Sequence, residues 1–199
     1  QPTVTSIYQD EFGIIWIGTK DGLNRYNGTD FYVFRPVKGD KNSLYNNNIG
    51  TICGDKQGHI YIRCKYAVVE YDIKKNTFHT IRDNDIQAIT YDNARLWVCT
   101  RDSLFTYNRV EDRLDYYYNL EGVRMSCVTE DSAGNLYVGT MNNGLYMIDH
   151  NKKWLNYFPK KDITCIYEDS KKSIWVGTKD DGLFRLDRNG GITNYGTAP

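Results

Sequence analysis

Residue types that can do chemistry recur along this chain at nearly regular spacing. An aspartate begins a similar string of residues five times, and three histidines and five cysteines lie in or near these strings. Carboxylates, imidazoles and thiols are the groups that bind metals and carry acid–base or nucleophilic catalysis. Their positions within the string decide which of these roles is open to them. The recurrent aspartates are Asp10, Asp55, Asp92, Asp131 and Asp169.

These aspartates are predicted to be turn residues. Gly13 follows Asp10 after two residues, and Gly58 follows Asp55 at the same distance. An aspartate side chain can cap a tight turn, and glycine supplies the positive φ that the turn needs. A structural role therefore outweighs a metal-binding or catalytic role at all five positions.

The histidines and nucleophiles form no recognisable site. His59, His79 and His150 fall at a turn, an outer strand and a loop of the repeat scheme, so no metal site is expected. The sequence has no G-x-S-x-G elbow, no G-x-G-x-x-G string and no Walker loop. We therefore expect no catalytic residue, no metal and no cofactor, and we expect that the chain is not an enzyme.

The cysteines are predicted to be reduced. Their odd number argues against a disulfide framework. Four of them stand where other repeats have a small residue, which predicts small buried side chains rather than reactive thiols. Cys53 has no such assignment. The four are Cys64, Cys99, Cys127 and Cys165.

The strings themselves are repeats. Each has an aromatic residue at its centre, and successive aromatics are 45, 36, 40 and 38 residues apart, a period typical of repeat architectures. The first string reads D-E-F-G-I-I-W-I-G-T-K-D-G-L-N-R-Y from Asp10, and the last reads D-S-K-K-S-I-W-V-G-T-K-D-D-G-L-F-R-L from Asp169. The central aromatics are Trp16, Tyr61, Trp97, Tyr137 and Trp175.

Each repeat predicts four short antiparallel strands. Its apolar segments have strand length, and none carries the spacing of an amphipathic helix. Such a sheet is apolar on both faces, so the repeats must stack face to face as propeller blades do. The central aromatics are expected to pack between blades. Gly-Thr pairs such as Gly18-Thr19 are expected where backbones approach closely.

The predicted fold is an all-β propeller of five four-stranded antiparallel blades, as one segment over residues 1–199. The repeats leave no room for a linker or a second domain. A long insertion at 35–48 separates the first two repeats, and long loops tend to be functional. The repeats are predicted over 4–34, 49–81, 86–117, 125–158 and 163–195.

Composition limits the partners. The 25 Lys and Arg residues balance the 25 Asp and Glu residues and are scattered, so nucleic acid is not an expected partner. No apolar run approaches the length that spans a bilayer, and the chain begins at Gln1 without Met. We expect a soluble segment from which a signal peptide or flanking region has been removed.

Topology predicts where the polar loop residues meet. In an up-and-down meander, the loop between second and third strands and the connection to the next blade share one face, opposite the aspartate turns. Cations, amides and tyrosine on that face suit a polar, hydroxyl-rich or anionic ligand. The alternative for each residue is a solvated loop side chain. The candidate ligand-binding residues are Lys20, Arg63, Lys65, Tyr66, Arg101, Arg124, Asn142 and Lys179.

The strings that begin at Asp10 and Asp169 resemble two-component regulator propeller repeats. The resemblance covers essentially the whole chain, with a complete motif in repeats one, four and five and a degenerate one in repeats two and three. It implies the periplasmic sensor of a hybrid two-component histidine kinase of gut Bacteroidetes. Such a sensor would bind oligosaccharides from polysaccharide breakdown and would reach the membrane only through its parent receptor.

The resemblance also implies a larger propeller. Such sensors usually have seven blades, so five repeats favour an incomplete arc over the alternative of a narrow closed ring of five blades. An arc would leave the central ligand funnel unfinished, so this segment alone would bind oligosaccharide poorly, and its exposed faces would drive self-association or binding to a partner propeller. A propeller scaffold for protein–protein interaction or dimerisation, without a small ligand, is the alternative function. A propeller enzyme, such as a lyase or a quinone-dependent dehydrogenase, would need a metal or cofactor cluster.

Overall fold

A computed structural model describes residues 3–196. Its strands form five four-stranded sheets, each drawn from one repeat, and the described residues contain no helix. The prediction of an all-β propeller fold with five four-stranded antiparallel blades is confirmed. No described helix exists that could cross a bilayer.

The first two sheets run in chain order from first to fourth strand. Sheet one contains β1 (Val4–Gln9), β2 (Ile15–Thr19), β3 (Gly22–Tyr26) and β4 (Phe31–Phe34). Sheet two contains β5 (Ile49–Gly54), β6 (His59–Cys64), β7 (Ala67–Asp72) and β8 (Thr77–Arg82).

The other three sheets repeat the same order. Sheet three contains β9 (Ala88–Asp92), β10 (Arg95–Cys99), β11 (Ser103–Asn108) and β12 (Arg113–Asn119). Sheet four contains β13 (Met125–Glu130), β14 (Leu136–Thr140), β15 (Leu145–Ile148) and β16 (Trp154–Tyr157). Sheet five contains β17 (Ile163–Glu168), β18 (Ile174–Thr178), β19 (Leu183–Leu186) and β20 (Ile192–Asn194).

The chain divides into two compact units, and the division falls inside sheet three. Unit one contains Gln1–Tyr91 and Asn108–Arg113, and unit two contains Asp92–Tyr107 and Leu114–Pro199. The arrangement as a single segment over 1–199 stays a prediction.

The turn aspartate Asp10 accepts hydrogen bonds from two kinds of donor, backbone N–H groups and a side chain. Asp10 Oδ1 accepts hydrogen bonds from the backbone N–H groups of Phe12 and Ile14, both at 2.9 Å. Its Oδ2 accepts a third from Trp16 Nε1 at 2.8 Å. The carboxylate therefore caps the turn, as predicted, and also holds the indole. Gly13 has φ +79°, which confirms the predicted glycine conformation.

The same arrangement recurs with different side chains. Asp169 Oδ2 accepts from Trp175 Nε1 at 2.8 Å, and Asp131 Oδ2 accepts from Asn135 Nδ2 at 2.9 Å. In repeat two, Asp55 Oδ2 lies 2.5 Å from His59 Nδ1, which explains the histidine at that turn.

In unit one, Trp16 packs between the first and second sheets as predicted. The indole is 0% exposed, and its ring centroid lies 5.3 Å from that of Tyr71 on β7 and 6.0 Å from that of Phe34 on β4. Leu44 from the 35–48 insertion joins the same apolar core. Burying rings of this size removes a large apolar area from water, so this cluster is the main contact between these two sheets.

In unit two, sheets four and five share a smaller core. Tyr137, Leu145, Ile163 and Phe184 contribute to it. The predicted burial of Trp175 between blades is wrong. This indole is half-buried, and its described ring contacts are with Tyr195 and Arg185 of its own repeat.

Glycines on the second strands allow the close approach that was expected. A Cβ on Gly18 would lie 2.6 Å from the Ile49 side chain of the following sheet, and one on Gly139 would lie 2.7 Å from Ile163. Only a residue without a side chain fits at these contacts.

All five cysteines are free. Cys64 and Cys99 are buried, and Cys127 is half-buried. The prediction for Cys165 is wrong, because this residue is exposed on the same face of sheet five as Trp175.

Candidate functional site

In unit one, backbone hydrogen bonds bring the predicted loop segments together. Gly22 N donates to Asn47 O at 2.7 Å, and Lys65 N donates to Asn48 O at 2.8 Å. The connection between the first two sheets therefore lies beside both of their second-to-third loops, which is the arrangement that the meander topology predicted.

Unit two has the same arrangement. Met141 N donates to Arg124 O at 2.8 Å, so the connection into sheet four lies beside its second-to-third loop. Asp162 joins two further candidates, because its Oδ1 accepts from Asn142 N at 2.6 Å and its carbonyl accepts from Lys179 N at 3.0 Å.

Most of the candidate residues are solvated. Lys65 Nζ lies 5.8 Å from the ring centroid of Tyr66. Their role in ligand binding stays a prediction. The exposed candidates are Lys20, Lys65, Tyr66, Arg101, Arg124, Asn142 and Lys179.

Arg63 on β6 differs from the other candidates because it is half-buried. Its guanidinium occupies the space where a Cβ on Gly50 would lie. Nη1 donates to Lys65 O at 2.9 Å, whereas the buried Nε has no hydrogen-bond partner among the described residues. Burial lowers the pKa of Arg63 below its usual value.

The Gly50 position has a hydroxyl in other repeats. Thr5 Oγ1 donates to Ile49 O at 2.8 Å, and Ser126 Oγ donates to Ile163 O at 2.6 Å, each reaching the following sheet. Repeat two has no hydroxyl here and has an arginine on the neighbouring strand instead. Sequence reasoning noticed Arg63 but missed Gly50, although alignment of the repeats shows both departures.

The middle of the 35–48 insertion follows a different path from the one expected, which was along the loop face. The two ends of the insertion reach the loop face, the first through Arg35 Nη2, which donates to Asp21 Oδ2 at 2.8 Å, and the second through Asn47 and Asn48. Its middle is held by buried Leu44 and by Phe78 N donating to Asn42 O at 3.0 Å, so it lies along the outer strand β8. An open cleft of about 810 Å³ lies there, and His79 on β8 helps to line it.

A second cleft, of about 410 Å³, lies in unit two beside the aspartate turns of sheets four and five. Tyr137 and Leu186 line it at the positions that Trp16 and Tyr71 fill in unit one. The smaller side chains leave the space that the larger rings occupy there. None of the eight candidate residues lines this cleft.

The described residues contain no group of histidine, cysteine and acidic side chains that could hold a metal ion. The carboxylates of Asp10 and Asp169 accept hydrogen bonds from their own turns, whereas Asp92 Oδ2 accepts from Thr129 Oγ1 and Glu130 N of the next sheet.

Comparison with known proteins bears on the family. Residues 1–21 and 157–180 match the family described as two component regulator propeller. These segments contain most of the first complete string and the beginning of the last. The resemblance to two-component regulator propeller repeats is confirmed. A stretch of 44 residues is also 41% identical to Histidine kinase P4 of Formosa agariphila, covering 22% of this chain and 3% of that protein.

Two solved extracellular domains from one bacterium have a similar fold. The extracellular domain of the putative hybrid two component system BT3049 from B. thetaiotaomicron is 27% identical, with a TM-score of 0.83, over 98% of this chain and 30% of that one. The extracellular domain of the putative one component system BT4673 from the same organism is 21% identical, with a TM-score of 0.80, over 100% of this chain and 31% of that one. The chain spans less than a third of either structure.

Proposed function

We propose that this chain is an extracytoplasmic, periplasmic ligand-sensing segment of a two-component receptor, and that it recognises oligosaccharides. The observation that carries the proposal is the 27% identity and shared fold with the extracellular domain of a putative hybrid two component system. In this proposal the segment is not an enzyme, and signalling across the membrane belongs to the parent receptor.

The proposed ligand surface is the face formed by the second-to-third loops. Tyr66 supports this choice because it is 54% exposed and has the Lys65 ammonium over its ring, so a flat apolar surface lies next to a donor. Sugar rings pack on such surfaces, while neighbouring cations and amides donate to their hydroxyls. The exposed side chains of Asn142 and Lys179 carry donors on the corresponding face of unit two.

A panel of oligosaccharides titrated calorimetrically into the chain tests the proposal. We expect at least one to bind, and Tyr66→Ala to weaken that binding about tenfold, which corresponds to ~1.4 kcal/mol. Tyr116→Ala is the matched control, because Tyr116 is 64% exposed on an outer strand. If no oligosaccharide binds, or if both variants bind as well as the original chain, the proposal fails.

The scaffold alternative is supported by exposed apolar side chains on the first strands of sheets one and five. Ile7 on β1 and Tyr167 on β17 are each 67% exposed. A chain that binds no saccharide but associates with itself or with another propeller would favour the scaffold function over ligand sensing.

A further inference from the structure

We infer that the loop face of unit one is an anion site, in which the Arg63 guanidinium binds a carboxylate or sulfate group carried by the ligand. The inference rests on the proposed function for the location of the site, and it adds the chemical class of the ligand.

The half-buried guanidinium of Arg63 lacks a counter-charge among the described residues. Half-buried cations in proteins are normally paired with an acid, because an isolated charge loses solvation without compensation. Even two exposed arginines of unit one pair with carboxylates: Arg109 Nε lies 3.1 Å from Glu70 Oε2, and Arg35 Nη2 lies 2.8 Å from Asp21 Oδ2. Among the described residues no carboxylate forms an ion pair with Arg63, which donates only to the carbonyl of Lys65.

Arg63 also has one hydrogen-bond donor that is not used. Arg63 Nε is buried and has no hydrogen-bond partner in the described part of the chain. Buried polar atoms of this kind are rare in native proteins and call for an explanation such as an absent ion or ligand. A guanidinium binds an anionic oxygen pair with two parallel N–H groups, a geometry that suits a carboxylate or sulfate.

Gly50 leaves room for the Arg63 guanidinium. At the Gly50 position the first and fourth repeats have Thr5 and Ser126, whose hydroxyls bond to the following sheet. Repeat two has Gly50 instead, and its lack of a side chain is what lets the guanidinium lie there. Gly50 is not in the positive-φ region, so the backbone does not require glycine. The absence of a side chain therefore matters for Arg63 itself.

Polar and positively charged residues lie near Arg63. Lys65 follows Arg63 after one residue, and the Asn46–Asn48 segment is held against this loop through Lys65 N and Asn48 O. Lys65 carries an ammonium group, and the three asparagines carry side-chain amides. A second cation and amide groups next to a half-buried guanidinium favour a negatively charged ligand over a neutral one.

The simplest probe is inorganic sulfate. We compare the unfolding midpoint of the chain with that of Arg63→Met, in sodium sulfate and in sodium chloride of equal ionic strength. Sulfate at ten times its dissociation constant should raise the midpoint of the unmodified chain by about 3–6 °C beyond any rise in Arg63→Met. Sulfate stabilises most proteins through exclusion from their surfaces, and the difference between the two proteins removes that effect.

Two further variants sharpen the comparison. Arg113→Met removes an exposed arginine that pairs with Glu111, and it should keep the full response to sulfate. Gly50→Ala adds only a Cβ, but this atom would collide with the guanidinium, so it should weaken the response to sulfate while Arg63 remains present. In the absence of sulfate, Arg63→Met should unfold at an equal or higher temperature, since an unpaired half-buried charge is removed.

Saccharide probes distinguish the two sources of the anion. Oligogalacturonate carries carboxylates, sulfated galactose oligomers carry sulfate esters, and neutral galactose oligomers carry neither. We expect at least one charged series to bind at least tenfold more tightly than the neutral one, and Arg63→Met to abolish that preference.

The outcomes separate this inference from the proposed function. A response to sulfate that depends on Arg63, with no saccharide bound, supports the anion site and refutes oligosaccharide recognition. Neutral oligomers that bind equally well to the chain and to Arg63→Met support oligosaccharide recognition and overturn the anion site. A lower midpoint for Arg63→Met, together with an unchanged sulfate response, would give Arg63 a purely structural role and would also overturn the inference.

Discussion

Among the turn residues, Asp10 and Asp169 each connect a backbone turn to the tryptophan side chain of the next strand. Asp169 Oδ1 accepts from Lys171 N and Ser173 N, both at 2.9 Å, while Oδ2 accepts from Trp175 Nε1 at 2.8 Å. The hydrogen bond from the indole, followed by that from Ser173 N, lowers the pKa of Asp169 below its ordinary value. A carboxylate that gains donors on folding stabilises the folded state only while it is ionised.

Acid should therefore destabilise the chain partly through Asp169. Because its folded pKa lies below its unfolded value of about 3.9, its contribution is present above about pH 4 and is lost as the pH falls through the folded pKa. Asp169→Asn should make the unfolding midpoint less dependent on pH between about 5 and 2. Thermal unfolding across that range measures the effect, with Glu121→Gln as an exposed control. Equal pH dependence in all three proteins would contradict this account.

The cysteines should react in a fixed order. Burial raises the pKa of Cys64 and of Cys127 to about 12, and it raises that of Cys99 well above its ordinary value. The thiolate is the reactive form, so a thiol with a raised pKa has a smaller reactive fraction at neutral pH. We expect iodoacetamide to modify exposed Cys165 first and Cys64 and Cys99 last in the folded chain. Peptide mass mapping at successive times checks the order, and all five should react after denaturation without reductant.

The tryptophan at one position of the repeat contributes differently to stability in different sheets. Trp16 and Trp175 form the same hydrogen bond to a turn aspartate, but Trp16 is 0% exposed between two sheets and Trp175 is half-buried. Trp16→Ala should cost about 3–5 kcal/mol because it leaves a large cavity. Trp175→Ala should cost about 1–2 kcal/mol, since it loses mainly a hydrogen bond and partial burial.

Denaturant unfolding of the two tryptophan variants provides a matched comparison, because each loses the same side chain and the same hydrogen bond. Equal losses of unfolding free energy would show that contact with a neighbouring sheet contributes little. A larger loss for Trp175→Ala would contradict the assignment of both residues.

The repeat period predicted the strands and turns well, but it predicted less well which residues pack against a neighbouring sheet. Strands, aspartate turns and the shared loop face follow from residue type and chain order, and these are local properties. The exposure of Trp175 does not follow, because a repeat string does not state whether another sheet packs against it. The path of the 35–48 insertion depends on the burial of Leu44 and on the hydrogen bond from Phe78 N to Asn42 O, which join residues distant in the sequence. Arg63 and Gly50 compensate each other across neighbouring strands, which only an alignment of the repeats could reveal.

At the scale of the whole molecule, apolar side chains remain exposed in both units. Ile7 is 67% exposed and Val33 39% in unit one, while Tyr167 is 67% and Leu183 38% exposed in unit two. Clustered apolar residues of this kind commonly mark interaction surfaces. They support the proposal that the chain binds to itself or to another propeller.

Sedimentation of the chain should accordingly show association that increases with concentration. Ile7→Lys and Leu183→Lys should each reduce it, because a lysine placed on an apolar contact must be desolvated when the surfaces meet. Arg188→Lys changes an exposed side chain without changing its charge and is the control. A monomer at all concentrations, in the unmodified chain as well as in the variants, would remove the basis for self-association.

The self-contained sheets have an evolutionary consequence. Every described sheet takes its four strands from one stretch of chain, and no strand is shared between repeats. Duplication or deletion of a gene segment encoding one repeat would therefore add or remove a complete sheet without interrupting a hydrogen-bonded ladder. The contacts between neighbouring sheets, such as Gly18 against Ile49, and the backbone hydrogen bonds of the connections, such as Gly22 N to Asn47 O, would need to be matched again. Lineages that carry these repeats can change their number by recombination, while substitutions such as Arg63 and Gly50 give individual copies separate properties.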